Sequence, residues 1–434
     1  METVSTNVKE EKDFDNEIVS SPDAENSSYL ITVVVPIFNG EKYFRECLDS
    51  IVNQTIGIEN IELIIVDDFS SDNSADIAKE YISKYPSIKL IQNPSNLGLG
   101  PTRNIGFKHA SSDFIAFLDC DDYISPNAYE KALKIFDEDK DIDLVIYKWE
   151  EFKGNQRLFV NDVAKVLLNE EKVVTDINDC PGLIFATYAT IKVYSKRLFE
   201  FLEFPPITYE DNIVSARVMV NSNKMYVADD ITMFYRRHGN QITSIFSSEK
   251  YLNILAASKQ VIDLRDEYLD YYDTLSFLAL KLVYHAIWYL TKSNAFIIEE
   301  GEIIYPKIKE FPKCFSKDIL EKYQTLFPNY LPSSEQCLWD IEEMDFYEYI
   351  FKNRYQNDIK RLNDENSNLR KKLNGLKEDN ANLKEKVKDL KSKNSKLDKK
   401  VKYKNKKIKE IKSTKSWKLT APLRKFKHLL SSKN

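Results

Sequence analysis

Three short acidic runs stand where the neighbouring residues are apolar or turn-forming: Asp67-Asp68, Asp119-Cys120-Asp121-Asp122 and Glu210-Asp211. Crowded carboxylates repel one another unless a cation, a donor or solvent relieves them. In FLDCDD, Asp119 and Asp121 are two apart, so both can reach one hard divalent cation with oxygen ligands, Mg²⁺ or Mn²⁺. Such a cation neutralises a diphosphate and helps it leave; the plain alternative is a solvated acidic loop. In IIVDDFSSDNS a carboxylate can accept the N–H of a pyrimidine or a ribose hydroxyl, and that role falls on Asp68. The competing reading is that Asp67 binds loop amides and only shapes the turn. In NPSNLGLGPTRNIG, Gly98 and Gly100 permit tight turns and close backbone approach, and Arg103 can grip phosphate bidentately. The glycine spacing of a dinucleotide site is missing.

The elements that must position these groups alternate. ITVVVPIF (31–38), IELIIVDD (61–68), IKLIQN (88–93), DFIAFLDCDD (113–122) and DLVIYKWEEF (143–152) read as strands. Between them lie helical periods at about 41–54, 73–85, 101–110 and 126–138. Val/Ile/Leu-rich strands separated by helices predict an α/β fold, a mostly parallel sheet flanked by helices on both faces. Ligands of such sheets sit beyond the carboxyl ends of the strands, where the polar residues Asn39, Asp67-Asp68 and Asp119–Asp122 fall. Residues 153–244 are mixed, and 245–350 are mostly helical and crowded with Tyr, Phe, Leu and Trp.

VVVPIFNGEKYFRECLDSIVNQT, IELIIVDDFSSDNS, NLGLGPTRNIG and FIAFLDCDD occur in this order, and together they resemble the inverting glycosyltransferases of family 2. The match is strong over about 31–150 and weaker to about 244. The resemblance implies the nucleotide-sugar-binding GT-A fold, Rossmann-like. It implies that Pro36, Phe38 and Asn39 lie beside the nucleotide base, that Asp68 holds a pyrimidine such as uracil, and that Arg103 sits near base and phosphate. Asp119 and Asp121 match the DxD motif, with Asp121 the direct metal ligand. Glu210 and Asp211 match the acidic pair near the acceptor, with Asp211 similar to the general base. Arg237, His238 and Ser244 resemble a segment that closes over the diphosphate. Cys120 inside the DxD and Pro101 in the glycine-rich loop depart from the usual pattern without removing a functional group. The plain alternatives are a dipole-favoured acidic pair at a helix start for Glu210-Asp211 and a structural hydrogen bond for His238.

The chain has 434 residues and a net charge of −6, but the charge is split. Residues 359–434 hold 26 Lys and Arg against 8 Asp and Glu, so an acidic body carries a basic tail. From Ile359 the sequence repeats every seven residues, with Ile, Val, Leu or Asn at one position and Leu at nearly every position three later. That seam predicts a parallel two-stranded coiled coil over 359–411, with Asn366, Asn380 and Asn394 fixing the register. Residues 415–434 form a basic amphipathic tail suited to peripheral contact with anionic membrane, and they lack the aromatic interleaving of a nucleic-acid groove. Residues 1–29 read as a disordered acidic leader without a signal-peptide pattern. Five scattered cysteines offer neither a zinc site nor a disulfide framework.

The expected organisation is a leader (1–29), a GT-A domain (30–244), a helical accessory domain (245–355), a coiled coil (356–414) and the tail (415–434). The expected protein is cytoplasmic, peripheral on the inner face of the cell membrane. It transfers sugar from a nucleotide-sugar, UDP-sugar favoured, to a cell-surface polysaccharide, teichoic-acid-like polymer or glycolipid. A nucleotidyltransferase would want a Gly- and Lys/Arg-rich signature that PIFNGEK lacks. A non-catalytic coiled-coil scaffold with a decayed transferase domain is countered by the retained acids and Arg103.

Overall fold

The computed structural model describes residues 16–20, 28–154, 156–158, 170–239, 241, 247–292, 298–327, 336–350, 352 and 356–413. Contacts divide the chain into two units, Met1–Asn353 and Arg354–Asn434.

The first unit is built on one mixed sheet. Its strands are β1 (Glu17–Ser20), β2 (Ile31–Ile37), β3 (Ile61–Asp67), β4 (Ile88–Gln92), β5 (Phe114–Phe117), β6 (Tyr123–Ile124), β7 (Leu144–Lys153), β8 (Gln156–Arg157), β9 (Lys172–Val174), β10 (Lys192–Ser195) and β11 (Met225–Arg236). The spatial order is β1-β4-β3-β2-β5-β10-β7-β11-β6. Along that path β4, β3, β2, β5, β7 and β11 run one way, and β1, β10 and β6 run the other. The mostly parallel α/β sheet read from the sequence is therefore present, interrupted by the antiparallel β10.

Both faces are buried, which is why β2 and β3 are apolar apart from Thr32, Glu62 and Asp67. Val33, Val35 and Ile37 join a cluster with Phe44, Leu48 and Ile51 of α1 (Glu41–Val52), Ile77 of α2 (Ser74–Ile82) and Phe136 of α4 (Ala128–Glu138). Val34, Ile64 and Val66 face the other side, over which α3 (Leu99–Lys108) and α5 (Glu210–Asn221) lie. The same cluster runs on into α6 (Ser248–Glu267), α7 (Tyr272–Lys292) and α8 (Ile298–Ile308). The helical segment expected as a separate domain from 245 thus shares its core with the sheet.

Two further expectations change. Within the leader expected to be disordered, Glu17–Ser20 pairs antiparallel with β4. The β4 edge offers unpaired N–H and C=O groups, and Ile18-Val19 favour a pleated backbone. Residues 1–15 and 21–27 lie outside the described residues. The strand expected over 113–122 ends at Phe117, because the chain turns at the acids: Asp122 N–H donates to Asp119 O at 3.0 Å. That turn lifts the DxD out of the sheet.

No described helix is long and apolar enough to cross a membrane. The second unit contains one 58-residue helix, Gln356–Ser413. Its heptad residues are about half-exposed, from 46% at Ile408 to 66% at Leu376. The basic tail 415–434 lies outside the described residues.

Candidate active site

The site is assembled around one guanidinium. Arg103, on the second turn of α3, is buried and lies 5.4 Å from the centre of the Phe204 ring. It donates to Asp119 Oδ1 at 2.8 Å and to Glu210 Oε1 at 2.5 Å. Acids just beyond β5 and at the start of α5 are thereby brought together. The grip that the sequence aimed at phosphate is instead divided between two carboxylates, and Nε is buried without a partner.

Local sequence explains why α3 and α5 meet here. Gly98 has φ +90, a conformation that favours glycine, and it opens α3. Gly100 allows close approach, since a Cβ there would collide with the carbonyl oxygen of Pro205. Asn104 then clamps the segment leading to α5: its Nδ2 donates to Phe204 O at 2.8 Å and its Oδ1 accepts from Phe204 N–H at 2.9 Å. Tyr209, left-handed at φ 70, turns the chain into α5. Asn104→Ala is expected to lose both bonds, lowering stability by about 1–3 kcal/mol. Misplacing Glu210 and Asp211 should also cut turnover by roughly 10²-fold. Thermal melts and steady-state rates read the two effects separately.

Burial raises the pKa of the Glu210 carboxyl, and Arg103 opposes that shift. Burial likewise raises Asp211, with Arg103, Lys192 and Lys281 pulling it back. Burial works against the charge on Arg103, but Asp119 and Glu210 more than offset it and raise its pKa. An acid pair at a helix N-terminus, half-shielded from water and facing a fixed cation, is suited to hold or take up a proton.

Asp121 lies on the other side of the DxD turn. Its Oδ2 is 2.8 Å from His238 Nε2. Burial, then Asp119, raises its pKa. Asp122 is buried and accepts the Arg236 N–H at 2.8 Å. Burial and the two neighbouring acids push its pKa well above the carboxylate range. Its Oδ2 is buried without a hydrogen-bond partner. Among the described residues, no group of three or more His, Cys, Asp or Glu side chains could hold a metal ion unaided. Asp119 and Asp121 supply hard oxygen donors, and a cation held by two carboxylates would complete its shell with diphosphate oxygens and water.

The remaining expected residues have other partners. Asp68 Oδ1 accepts from Leu97 N–H and Asn93 Nδ2, and its Oδ2 accepts from Gly98 N–H, all at 2.8 Å. Asp68 therefore shapes the glycine-rich loop, the work the sequence reading had given to Asp67 as its alternative. Asp67 does the same locally, accepting from Ser70 N–H at 3.0 Å and from Gln92 Nε2 at 3.1 Å. Pro36 is buried in β2, Phe38 is half-exposed at its end, and Asn39 Oδ1 caps the loop through Ser71 N–H at 2.8 Å. Arg237 pairs with Glu151 at 2.9 Å and lies over the Tyr235 ring. Ser244 lies outside the described residues.

Sequence reasoning missed Arg236. Its Nε donates to Asp121 O at 2.8 Å, it pairs with Glu46, and it lies 4.5 Å from the Tyr43 ring centre. Neighbouring strand residues point to opposite faces, so Arg236 and Arg237 are interchangeable in the sequence until the strand is placed. It also missed Phe69, an exposed aromatic beside Asp68 with φ 69.

A family model described as glycosyl transferase family 2 matches residues 32–200. The glycosyltransferase GlyG of Streptococcus pneumoniae serotype 4 is 30% identical over 227 residues, covering 50% of this chain and 73% of GlyG. The chain belongs to glycosyl transferase family 2. Among its relatives, the minor teichoic acid biosynthesis protein GgaB of Bacillus subtilis is 46% identical over 119 residues, 27% of this chain and 13% of GgaB. TarS of Staphylococcus aureus, a poly(ribitol-phosphate) beta-N-acetylglucosaminyltransferase, is 29% identical over 223 residues, 50% of this chain and 37% of TarS. The chain thus matches only a part of GgaB and of TarS. The crystal structure of TarS 1–349 in complex with UDP-GlcNAc superposes with a TM-score of 0.58 at 21% identity, covering 74% of this chain and 89% of that one. That likeness is one of fold, and it makes the family 2 enzyme's sheet GT-A-like.

Proposed function

We propose that this family 2 glycosyltransferase moves a sugar, with inversion, from a UDP-sugar to a hydroxyl of a cell-surface, teichoic-acid-like polymer. The observation that carries the reading is the Arg103 bridge, which holds the DxD acid Asp119 and the α5 acid Glu210 in one cluster. The poly(ribitol-phosphate) beta-N-acetylglucosaminyltransferase activity of TarS and its complex with UDP-GlcNAc support the choice of donor and acceptor.

Inversion needs a base behind the acceptor hydroxyl and stabilisation of the leaving diphosphate opposite it. Asp211 is that base. It is half-buried and its proton affinity is raised, which favours taking the hydroxyl proton as the new bond forms. Glu210 fixes Arg103, and Arg103 fixes Asp119, so acid and donor side are held in register. Asp121 and Asp119 would hold Mg²⁺ or Mn²⁺, which supplies charge neutralisation at the diphosphate. His238, hydrogen-bonded to Asp121, orients that carboxylate, and Arg237, next to it in the chain, pairs with Glu151 of β7.

A thermal-shift and hydrolysis panel of UDP-, GDP-, CDP- and dTDP-sugars, each with Mn²⁺ or with EDTA, tests the reading. UDP-sugars are expected to raise the melting temperature in Mn²⁺ and to be slowly hydrolysed, and Asp121→Asn should remove the Mn²⁺-dependent part. No response to any nucleotide-sugar would sink the assignment.

The seam over 359–411 supports a parallel homodimer. Leucines every seventh residue on a lone helix leave apolar surface in water, and a second copy in register covers it. The Lys-rich outer faces suit contact with anionic membrane.

A further inference from the structure

The helical segment 245–350 brings two lysines and a histidine close to Tyr209 and Asp211. Lys250 of α6 places its Nζ 6.0 Å from the centre of the Tyr209 ring. His285 of α7 meets the same ring edge-on at 5.8 Å. Lys281 lies one turn before His285, on the same face of α7, with its Nζ 5.5 Å from the Phe185 ring. Tyr209 is two residues from Asp211, and the Lys281 charge acts on Asp211.

These groups repel one another. Burial lowers Lys250 and Lys281 to about 8. Burial and both lysines lower His285 to about 4. Lys192, another cation that acts on Asp211, differs. Its Nζ donates to Ala186 O, to Tyr188 O at 2.7 Å and to Ser215 Oγ at 3.2 Å, so it ties backbone together. Lys281 interrupts one of the most apolar helices of the chain and has the Asp211 carboxyl as its acidic neighbour. A half-buried ammonium in such a place gains further when a ligand brings a second anion to it.

We propose that Lys250, Lys281 and His285 form an anion subsite beside Asp211 that seats a phosphodiester of the acceptor, next to the hydroxyl that receives the sugar. The inference rests on the reading of Asp211 as the base. Lysines reaching in from two helices act as point charges and suit a tetrahedral anion, whereas a planar carboxylate is better matched by an arginine fork, which this cluster lacks.

The test is calorimetric binding to the full chain without donor, using a ribitol-phosphate oligomer, a glucuronate oligomer and a neutral glucan. The wild-type chain is expected to bind the ribitol-phosphate oligomer at least tenfold more tightly than either other probe. Lys281→Gln and Lys250→Gln should each weaken that binding about tenfold, and Lys281→Arg should restore most of it. In turnover, Lys281→Gln should raise the acceptor KM far more than the donor KM. Equal binding of all three probes, or Lys281→Gln binding within twofold of wild type, overturns the subsite. If UDP-sugar hydrolysis persists in that case, only the subsite falls; if the wild type neither binds nor hydrolyses UDP-sugars, the transferase reading falls with it.

Discussion

Asp211→Asn is expected to lower sugar transfer by about 10²–10⁴-fold, the usual worth of a positioned general base. The substitution keeps shape and removes only proton affinity. Donor binding should stay measurable, because Asp119, Asp121 and Arg103 are untouched. The pH profile gives a second signature. Burial raises the Asp211 pKa, so the base is lost as pH falls through a value above the ordinary carboxylate range. The acidic limb of the wild-type profile should therefore lie high, and the variant should lack it. Stability moves the other way: a carboxyl whose folded pKa is raised weakens the fold above its unfolded pKa and regains stability as pH falls. Removing that charge should hold or raise the melting temperature at neutral pH. Full transfer activity in the variant would remove Asp211 as the base.

Replacing Leu376, Leu383 and Leu390 together with Asp is expected to convert a dimer into monomers. Each leucine taken from water contributes about 1.5–3 kcal/mol, and six would be lost per pair. Sedimentation equilibrium across a range of protein concentrations reads the change directly. Donor hydrolysis should survive, since the substitutions lie in the second unit and the acids in the first. Asn380→Leu is the converse probe, since losing a buried polar pair relaxes oligomer choice towards larger assemblies. A wild-type chain that sediments as a monomer, or a triple variant that stays dimeric, would refute the seam.

The distance between the two predictions reflects how each feature is encoded. A heptad seam is a local period, so its existence and phase are readable without knowing where anything else lies. The same holds for the strands at 31–38 and 61–68, whose Val/Ile/Leu-rich runs between helices already imply a sheet covered on both sides. The strand ends placed Asp119 at the sheet's ligand edge with Arg103 pointing back toward it, and the structure joins both to Glu210. What the motifs did not contain was the division of labour. Arg103 was readable as a phosphate ligand and is held by two carboxylates. Asp68 was readable as a base-binding residue, and its oxygens hold the Leu97 and Gly98 amides and the Asn93 side chain. Hydrogen-bond capacity is fixed by residue type, but its use depends on which donors come within 3 Å.

By itself, then, the sequence determined the periodic elements, the mostly parallel sheet and the long C-terminal helix with its seven-residue period, because each rests on spacing along the chain. Tertiary structure alone decided that Gly100 and Asn104 draw Phe204 and Pro205 against α3, that Arg236 rather than Arg237 supports the DxD turn, and that Lys250 and His285 meet at Tyr209. Those contacts join residues many tens of positions apart. Their energies exist only once packing excludes water and sets the approach of two elements, and no local pattern records that approach.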